Sequence, residues 1–168
     1  MGCDMMLALG PATAGRHTLL GMNLFDAGRQ RLQLRFVPAA SHPSDDLLQA
    51  AQLELPQARQ TNAVFGMQPD NAWGFLFGCN DHRVAVGVAR WHSRLPPSGP
   101  GLSGRELTRL ALERGRNAAH AAEVLSDLIA RHGQRETDDP AAHAVFLIAD
   151  AEEACVLEAA GSYWALVE

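Results

Sequence analysis

The sequence predicts an α+β fold built in layers, on three observations. Short apolar runs separated by turn residues fill the chain to about residue 95, two amphipathic helical segments follow between 103 and 133, and strand-like runs return from 144 onward. Strands gathered in blocks around a helical pair favour a layered α+β architecture over a doubly wound one. Neither a G-x-G-x-x-G nor a P-loop pattern occurs to argue for a nucleotide-binding sheet.

Residues 3–9 read as a buried strand that starts almost at the N-terminus, with Cys3, Met5, Leu7 and Leu9 on one face. Gly10, Pro11, Ala12, Thr13, Ala14 and Gly15 make a turn-rich connection, and residues 17–22 resume an apolar run, so the two segments read as a hairpin. Residues 31–37 place Leu32, Leu34 and Phe36 on one face and Arg31, Gln33 and Arg35 on the other, a half-solvated strand closed by Pro38 and Pro43. Residues 44–61 show no clean period and are expected to be loop, with one short strand at 52–55. Residues 63–67, 74–78 and 84–88 form short strands joined by turns at 69–71 and 80–81. Being apolar on both faces, they are expected to be covered on both sides. Residues 95–101, with three prolines and two glycines, form a loop between sheet and helix.

Ser103-Gly104-Arg105-Glu106 is a capping box, in which the hydroxyl accepts from the third helical N–H and the glutamate reaches back to the cap. Leu107, Leu110 and Ala111 give this helix an apolar face, and Gly115 ends it. A second helix runs from about Asn117, with Ala121, Val124, Leu125, Leu128 and Ile129 on one stripe and Gly133 as its stop. Residues 144–149, 155–159 and 163–167 then form three strands, joined by turns at 150–153 and 161–162.

Composition narrows the function classes. The 168 residues include fourteen arginines, no lysine and nineteen carboxylates, for a formal charge of −5, which argues against binding to nucleic acid or to an anionic membrane. The absence of lysine removes Schiff-base and lysine-base chemistry. Length fits one domain over residues 1–168, or one part of a larger one. Cys3, Cys79 and Cys155 are odd in number and lack a C-x-x-C pair, so neither a disulfide framework nor a four-thiolate zinc site is encoded, and a reducing, cytoplasmic setting is expected. No signal peptide and no membrane-spanning run is read from the sequence.

Individual residues carry alternative readings. Asn80 and Asp81 read as a hairpin turn. Cys79 and His82 are a possible nucleophile and base, and with His92 a possible metal set, although the spacing matches no closed four-ligand pattern. Trp91 and His92 beside the proline-rich loop are placed to line a cleft, and Arg90 and Arg94 to bind a carboxylate. Trp73 and Trp164 read as packing, His120, His132 and His143 as surface, and Cys155 as a buried, inert thiol.

Three segments then point in one direction by their order and spacing over nearly the whole chain. The first is Cys3-Asp4 with Ala8-Leu9 and Pro11-Ala12-Thr13. The second runs from Leu107-Thr108-Arg109-Leu110-Ala111-Leu112-Glu113-Arg114 to His132-Gly133-Gln134. The third comprises Phe146-Leu147-Ile148-Ala149-Asp150, Glu153-Ala154, Val156-Leu157-Glu158 and Ala160-Gly161 with Trp164. Together they resemble the secernin and dipeptidase family of N-terminal-nucleophile cysteine hydrolases.

The resemblance implies a four-layer αββα sandwich, of which this chain carries strands, a helical hairpin and further strands. It implies that the Cys3 thiolate attacks a small amide, dipeptides above all, with the α-amino group of Cys3, of pKa about 8, as general base. It needs no cofactor and no metal. Asp4 would orient the amine or end the strand. Asn23 and Asp26 would be catalytic, lying in Met22-Asn23-Leu24-Phe25-Asp26-Ala27 where the family has Lys-Asn-Ser-Asp-Arg; Asp26 fits only with a one-residue shift. Asn80, Val88, Arg90 and Trp91 would bind substrate, Val88 through its backbone amide where the family has an asparagine.

Five features depart from the pattern. Met1 and Gly2 precede Cys3, so the Gly2–Cys3 bond must be cut to free the amine. Phe25 stands at the family's aspartate, Arg83 at its glycine and Val88 at its asparagine. Relatives continue for a comparable length beyond 168, so the chain is expected to be the N-terminal part of a longer fold whose remaining half would cover sheet edges; a truncated product would instead pair its open edges with a second copy. The leading expectation is an amide hydrolase; the alternatives are an inactive structural or assembly module and an acyltransferase on the same scaffold.

Overall fold

The computed structural model describes residues 2–25, 31–70, 72–95 and 99–167. Candidate Asp26, the last residue of the 69–71 turn and part of the 95–101 loop lie outside the described residues. The strands are β1 (Gly2–Ala8), β2 (Leu19–Phe25), β3 (Leu32–Val37), β4 (Ala40–Ser41), β5 (Leu47–Gln49), β6 (Glu54–Pro56), β7 (Gln60–Thr61), β8 (Val64–Pro69), β9 (Phe77–Asn80) and β10 (Ala85–His92). Helices α1 (Gly104–Arg114) and α2 (Ala118–His132) follow, then β11 (Ala142–Ala149), β12 (Ala154–Ala160) and β13 (Tyr163–Val167).

A seven-stranded antiparallel sheet ordered β13-β12-β11-β10-β9-β8-β3 forms the centre. Both helices pack on one of its faces. Val86, Val88, Phe146, Ile148 and Leu157 point there and are buried against Leu107, Leu110, Leu125 and Ile129. Each such side chain contributes about 1.5–3 kcal/mol by leaving water. The hairpin β1–β2, a separate two-stranded sheet, lies on the opposite face of β10. Helices, a sheet and a second two-stranded sheet therefore stack in that order, as an incomplete layered α+β sandwich.

Local chemistry explains the helix ends. The Ser103 hydroxyl accepts from the Glu106 N–H at 3.3 Å while Glu106 Oε2 accepts from the Ser103 N–H at 2.8 Å, the reciprocal cap read from sequence. At α2, Asn117 Oδ1 accepts from the His120 N–H, and Gly133 ends the helix at φ +77°, a left-handed conformation that glycine adopts without strain.

Three expectations are corrected. Residues 44–61 are not loop with one strand: β4 pairs with β7 and β5 with β6, two short ribbons beneath the resolution of a periodicity reading. The apolar face of β3 is not buried, since Leu34 and Phe36 are 67% and 66% exposed. The strands at 63–67, 74–78 and 84–88 are not uniformly covered. β10 is buried on both faces from Val86 to Ala89, whereas Phe65 on β8 is exposed.

Candidate active site

Cys3 sits at the second position of β1, half-buried, opposite Leu24. The strand alternates: Cys3, Met5 and Leu7 turn inward, Asp4 and Met6 outward. On β2, Leu20, Met22 and Leu24 are half-buried and Asn23 and Phe25 exposed. Met5 and Leu20 identify the inner face as the one toward the large sheet. A Cβ at Gly87 would lie 3.0 Å from Met5 Sδ, 3.2 Å from the Phe77 ring and 3.7 Å from Leu20. Gly87 thus lets the cysteine-bearing hairpin close onto β10, and a side chain there would push it away. The strand period of two separates Cys3 from Asn23. Asn23 is paired with Asp4, and both lie on the exposed outer face, so the structure does not bring Asn23 to the thiol.

The four residues expected to bind substrate are engaged elsewhere. Asn80 is buried; its amide donates to Leu112 O at 2.8 Å and Gly115 O at 2.7 Å, and its Oδ1 accepts from the His82 and Val84 N–H groups. Val88 faces α1 on the side of β10 away from Cys3, and its backbone N–H donates to Leu76 O at 3.0 Å. The Arg90 guanidinium forks between Glu136 at 2.7 Å and Asp138 at 2.7 and 3.1 Å. Trp91 donates its indole N–H to Ala144 O at 3.2 Å and rests on the ring of His143. His143 is not a surface residue: it is buried, with no hydrogen-bond partner at either ring nitrogen among the described residues.

Arg90 anchors an ionic cluster that sequence reasoning missed. Glu136 is nearly fully buried and, besides Arg90, accepts from the Gly104 N–H at 2.7 Å and from Gln134 Nε2 at 3.2 Å, so it closes the N-terminus of α1. Burial works to lower the Arg90 pKa, but the hydrogen bond to Asp138 and the charges of Glu136 and Asp138 outweigh it and hold the guanidinium above its ordinary value. Asp138 is pushed up by partial burial and pulled further down by Arg90, for a net lowering. Nothing in the polar stretch around residue 136 has a period that would have marked this glutamate as buried. Among the described residues, no group of three or more His, Cys, Asp or Glu is disposed to hold a metal ion. No helix among them is long and apolar enough to cross a membrane.

The arrangement around Cys3 offers a half-buried thiol near the start of a strand. Gly2 precedes it in the ladder, paired with Phe25. Cutting the Gly2–Cys3 bond would give up that pair and leave the new α-amino group on the residue that carries the thiol.

No family model matches the chain. Solved structures match its fold. A variant of conjugated bile acid hydrolase from Clostridium perfringens is 15% identical with a TM-score of 0.60, over 99% of this chain and 50% of that one. Penicillin V acylase from Agrobacterium tumefaciens is 11% identical with a TM-score of 0.58, over 97% of this chain and 48% of that one. A second variant of the Clostridium perfringens hydrolase is 16% identical with a TM-score of 0.58, over 97% and 50%. At these identities the likeness is one of fold. The chain spans about half the length of the structures it matches, and its layered α+β arrangement is that of the N-terminal-nucleophile hydrolases.

Proposed function

We propose that this chain is the nucleophile-bearing part of a cysteine N-terminal-nucleophile amide hydrolase, with Cys3 as nucleophile and small peptides or similar amides as substrates. The observation that carries the reading is the position of Cys3: half-buried near the start of β1, facing the large sheet, within a fold shared with a hydrolase and an acylase. The resemblance to the secernin and dipeptidase family supports dipeptides as the substrate class. Such chemistry suits the reducing cytoplasm, where the thiol persists.

The steps balance within the chain once the Gly2–Cys3 bond is hydrolysed. The α-amine of Cys3, with an ordinary pKa of about 8, takes the thiol proton. The thiolate forms an S–C bond with the amide carbon, the C–N bond breaks, and the leaving amine receives the proton. Water then hydrolyses the thioester, releasing the acid and restoring the thiol. Acceptance of the acyl group by an amine instead of water would make the same site an acyltransferase.

A second reading, an inactive assembly module, is favoured by the engagement of Asn80, Val88 and Arg90 in structural contacts. Intact mass spectrometry combined with peptide-mapped alkylation at near-neutral pH separates the two. The hydrolase reading expects a chain that begins at Cys3, rapid alkylation at Cys3 beyond that of the exposed Cys79, and dipeptide turnover abolished by Cys3→Ala. A retained Gly2 with a slow Cys3 and no turnover overturns it.

A further inference from the structure

A cavity of about 320 Å³ lies in the helical layer, walled by β6, the end of α1 and the second half of α2. Leu55, Pro56, Val124 and Leu128 give it apolar walls, and Arg114 and Arg131 give it cations. Among the described residues its lining carboxylate is Asp127, which Arg131 holds at 3.0 Å. The period of 3.6 places Val124, Leu128 and Arg131 on the side of α2 opposite Ala118, Ala122 and Ser126, and it is the latter three that share a cavity with Trp164 and Leu166 of β13. The walls are therefore drawn from residues 55–132 and do not open on the edge of the large sheet.

Arg114, the last residue of α1, is a cation without a counter-charge. Its Nη2 donates to Pro56 O at 3.1 Å, and its Nε is buried with no partner among the described residues. The adjacent Glu113 is held by Arg109 at 2.7 Å, and among the described residues no ion pair includes Arg114. Burial pulls the pKa of the Arg114 guanidinium below its ordinary value, and the charge of Glu113 offsets this only in part. Arg90 shows the opposite balance, since Glu136 and Asp138 hold it above its ordinary value. A guanidinium does not discharge in a protein, so Arg114 keeps its charge and the cost of taking it out of water is left uncompensated.

We propose that this cavity binds a small organic carboxylate with a short apolar chain, the carboxylate against the Arg114 guanidinium and the chain between Leu55, Val124 and Leu128. One uncompensated cation matches one negative charge, and the planar guanidinium matches a planar carboxylate. A phosphate is disfavoured, because the apolar walls would leave its further oxygens without donors. The volume stands at the lower end of the range of about 300–1,000 Å³ for ligand pockets, which sets the ligand at fragment size. The inference rests on Arg114 and its cavity and does not depend on Cys3 being a nucleophile.

Titration of the full chain with hexanoate, followed by nuclear magnetic resonance, tests this. Saturable binding with a Kd of about 1 mM or tighter is expected for a ligand of this size. Hexan-1-ol keeps the chain and lacks the charge, acetate keeps the charge and lacks the chain, and each should bind roughly tenfold or more weakly. Arg114→Gln should weaken hexanoate by about tenfold or more, and Arg131→Gln, at an exposed and already paired arginine, by about two- to fivefold. In the unaltered protein, nuclear Overhauser contacts from the hexanoate chain to the methyl groups of Val124 and Leu128 locate the ligand, which keeps the test decisive if Arg114→Gln fails to fold. Absence of saturable binding, equal binding of hexan-1-ol, contacts to methyl groups elsewhere, or full affinity in Arg114→Gln overturns the proposal. A cavity filled by the protein's own residues would give the first of these outcomes.

Discussion

Asn62 and Asn80 hold the same two carbonyl oxygens. Asn62 donates its side-chain amide to Leu112 O at 3.0 Å and Gly115 O at 2.7 Å, and Asn80 donates to the same pair at 2.8 and 2.7 Å. The last carbonyls of an α-helix have no partner within the helix. Gly115 leaves α1 at φ −74°, in an extended conformation, so no left-handed cap turns the backbone back to satisfy them. Two side-chain amides, one preceding β8 and one ending β9, do so instead and tie the helix end to the sheet.

Asn80 is therefore expected to matter for stability. Its Oδ1 also fixes the turn through the His82 and Val84 N–H groups, so Asn80→Ala unties the turn and leaves the helix end to Asn62 alone. Asn62 still serves both carbonyls, so the groups left without their partner are the His82 and Val84 N–H, of which the Val84 N–H is buried. An unsatisfied buried group costs about 1–3 kcal/mol, and a loss of roughly 1–3 kcal/mol in unfolding free energy is expected from urea titration. Asn80→Asp should be no milder, because it removes the donors and sets a carboxylate against helix C-terminal carbonyls. A change below about 0.5 kcal/mol, the scale of an ordinary surface substitution, would show that the clamp carries no weight and return Asn80 to the list of substrate contacts.

Asp150 gives the fold an acid-sensitive joint. Its carboxylate accepts from the Ala118 N–H at the start of α2 at 2.7 Å, and from the Glu152 and Glu153 N–H groups at 2.8 and 3.0 Å. Partial burial pushes its pKa up, but those three donors and the charge of Arg83 outweigh it, and the carboxyl is held below its ordinary value. A carboxyl with a depressed folded-state pKa contributes stability that is fully present above its unfolded value, about 3.9, and lost as pH falls through the folded value. Asp150→Asn keeps one acceptor oxygen and removes the charge, so it should destabilise at neutral pH by roughly 0.3–1 kcal/mol, the range for a carboxylate at a helix N-terminus. The gap between wild type and variant should close as the pH falls below about 4. Urea midpoints measured across that range check this; a gap independent of pH would mean that the charge of Asp150 contributes nothing.

The legible and illegible parts of this molecule divide by how local their causes are. Ser103, Glu106, Asn117 and Gly133 bound the helices through contacts within one turn, and their chemistry is visible in the sequence. The 163–167 strand and its Gly161-Ser162 turn have the same local origin. The side-chain set around α1 does not: Asn62, Asn80 and Glu136 reach its ends from 32 to 53 positions away in the chain, and a lone Asn or Glu carries no period that announces burial. For the candidate site, strand alternation in residues 3–9 put Cys3 on the inner face. The same alternation in β2, where Asn23 pairs with Asp4, takes Asn23 to the other side. Arg90 read as a ligand for a substrate carboxylate, and its carboxylates turn out to be Glu136 and Asp138.

Arg83 is the point at which a sequence departure acquires a structural cost. It occupies the position where the resembling family has glycine, and its φ is +64°. A Cβ in the left-handed region costs about 1–2 kcal/mol, and glycine there gives back roughly 0.5–1 kcal/mol through its greater freedom in the unfolded chain. Arg83→Gly is thus expected to stabilise the protein by about 0.5–1 kcal/mol, raising the melting temperature by roughly 1–4 °C for a chain of this size. Arg83→Ala separates conformation from charge: it also removes the cation that faces Asp150 but keeps the Cβ, so it should give no gain. Equal melting temperatures for the two variants would mean that the left-handed backbone at this turn is not what the arginine costs.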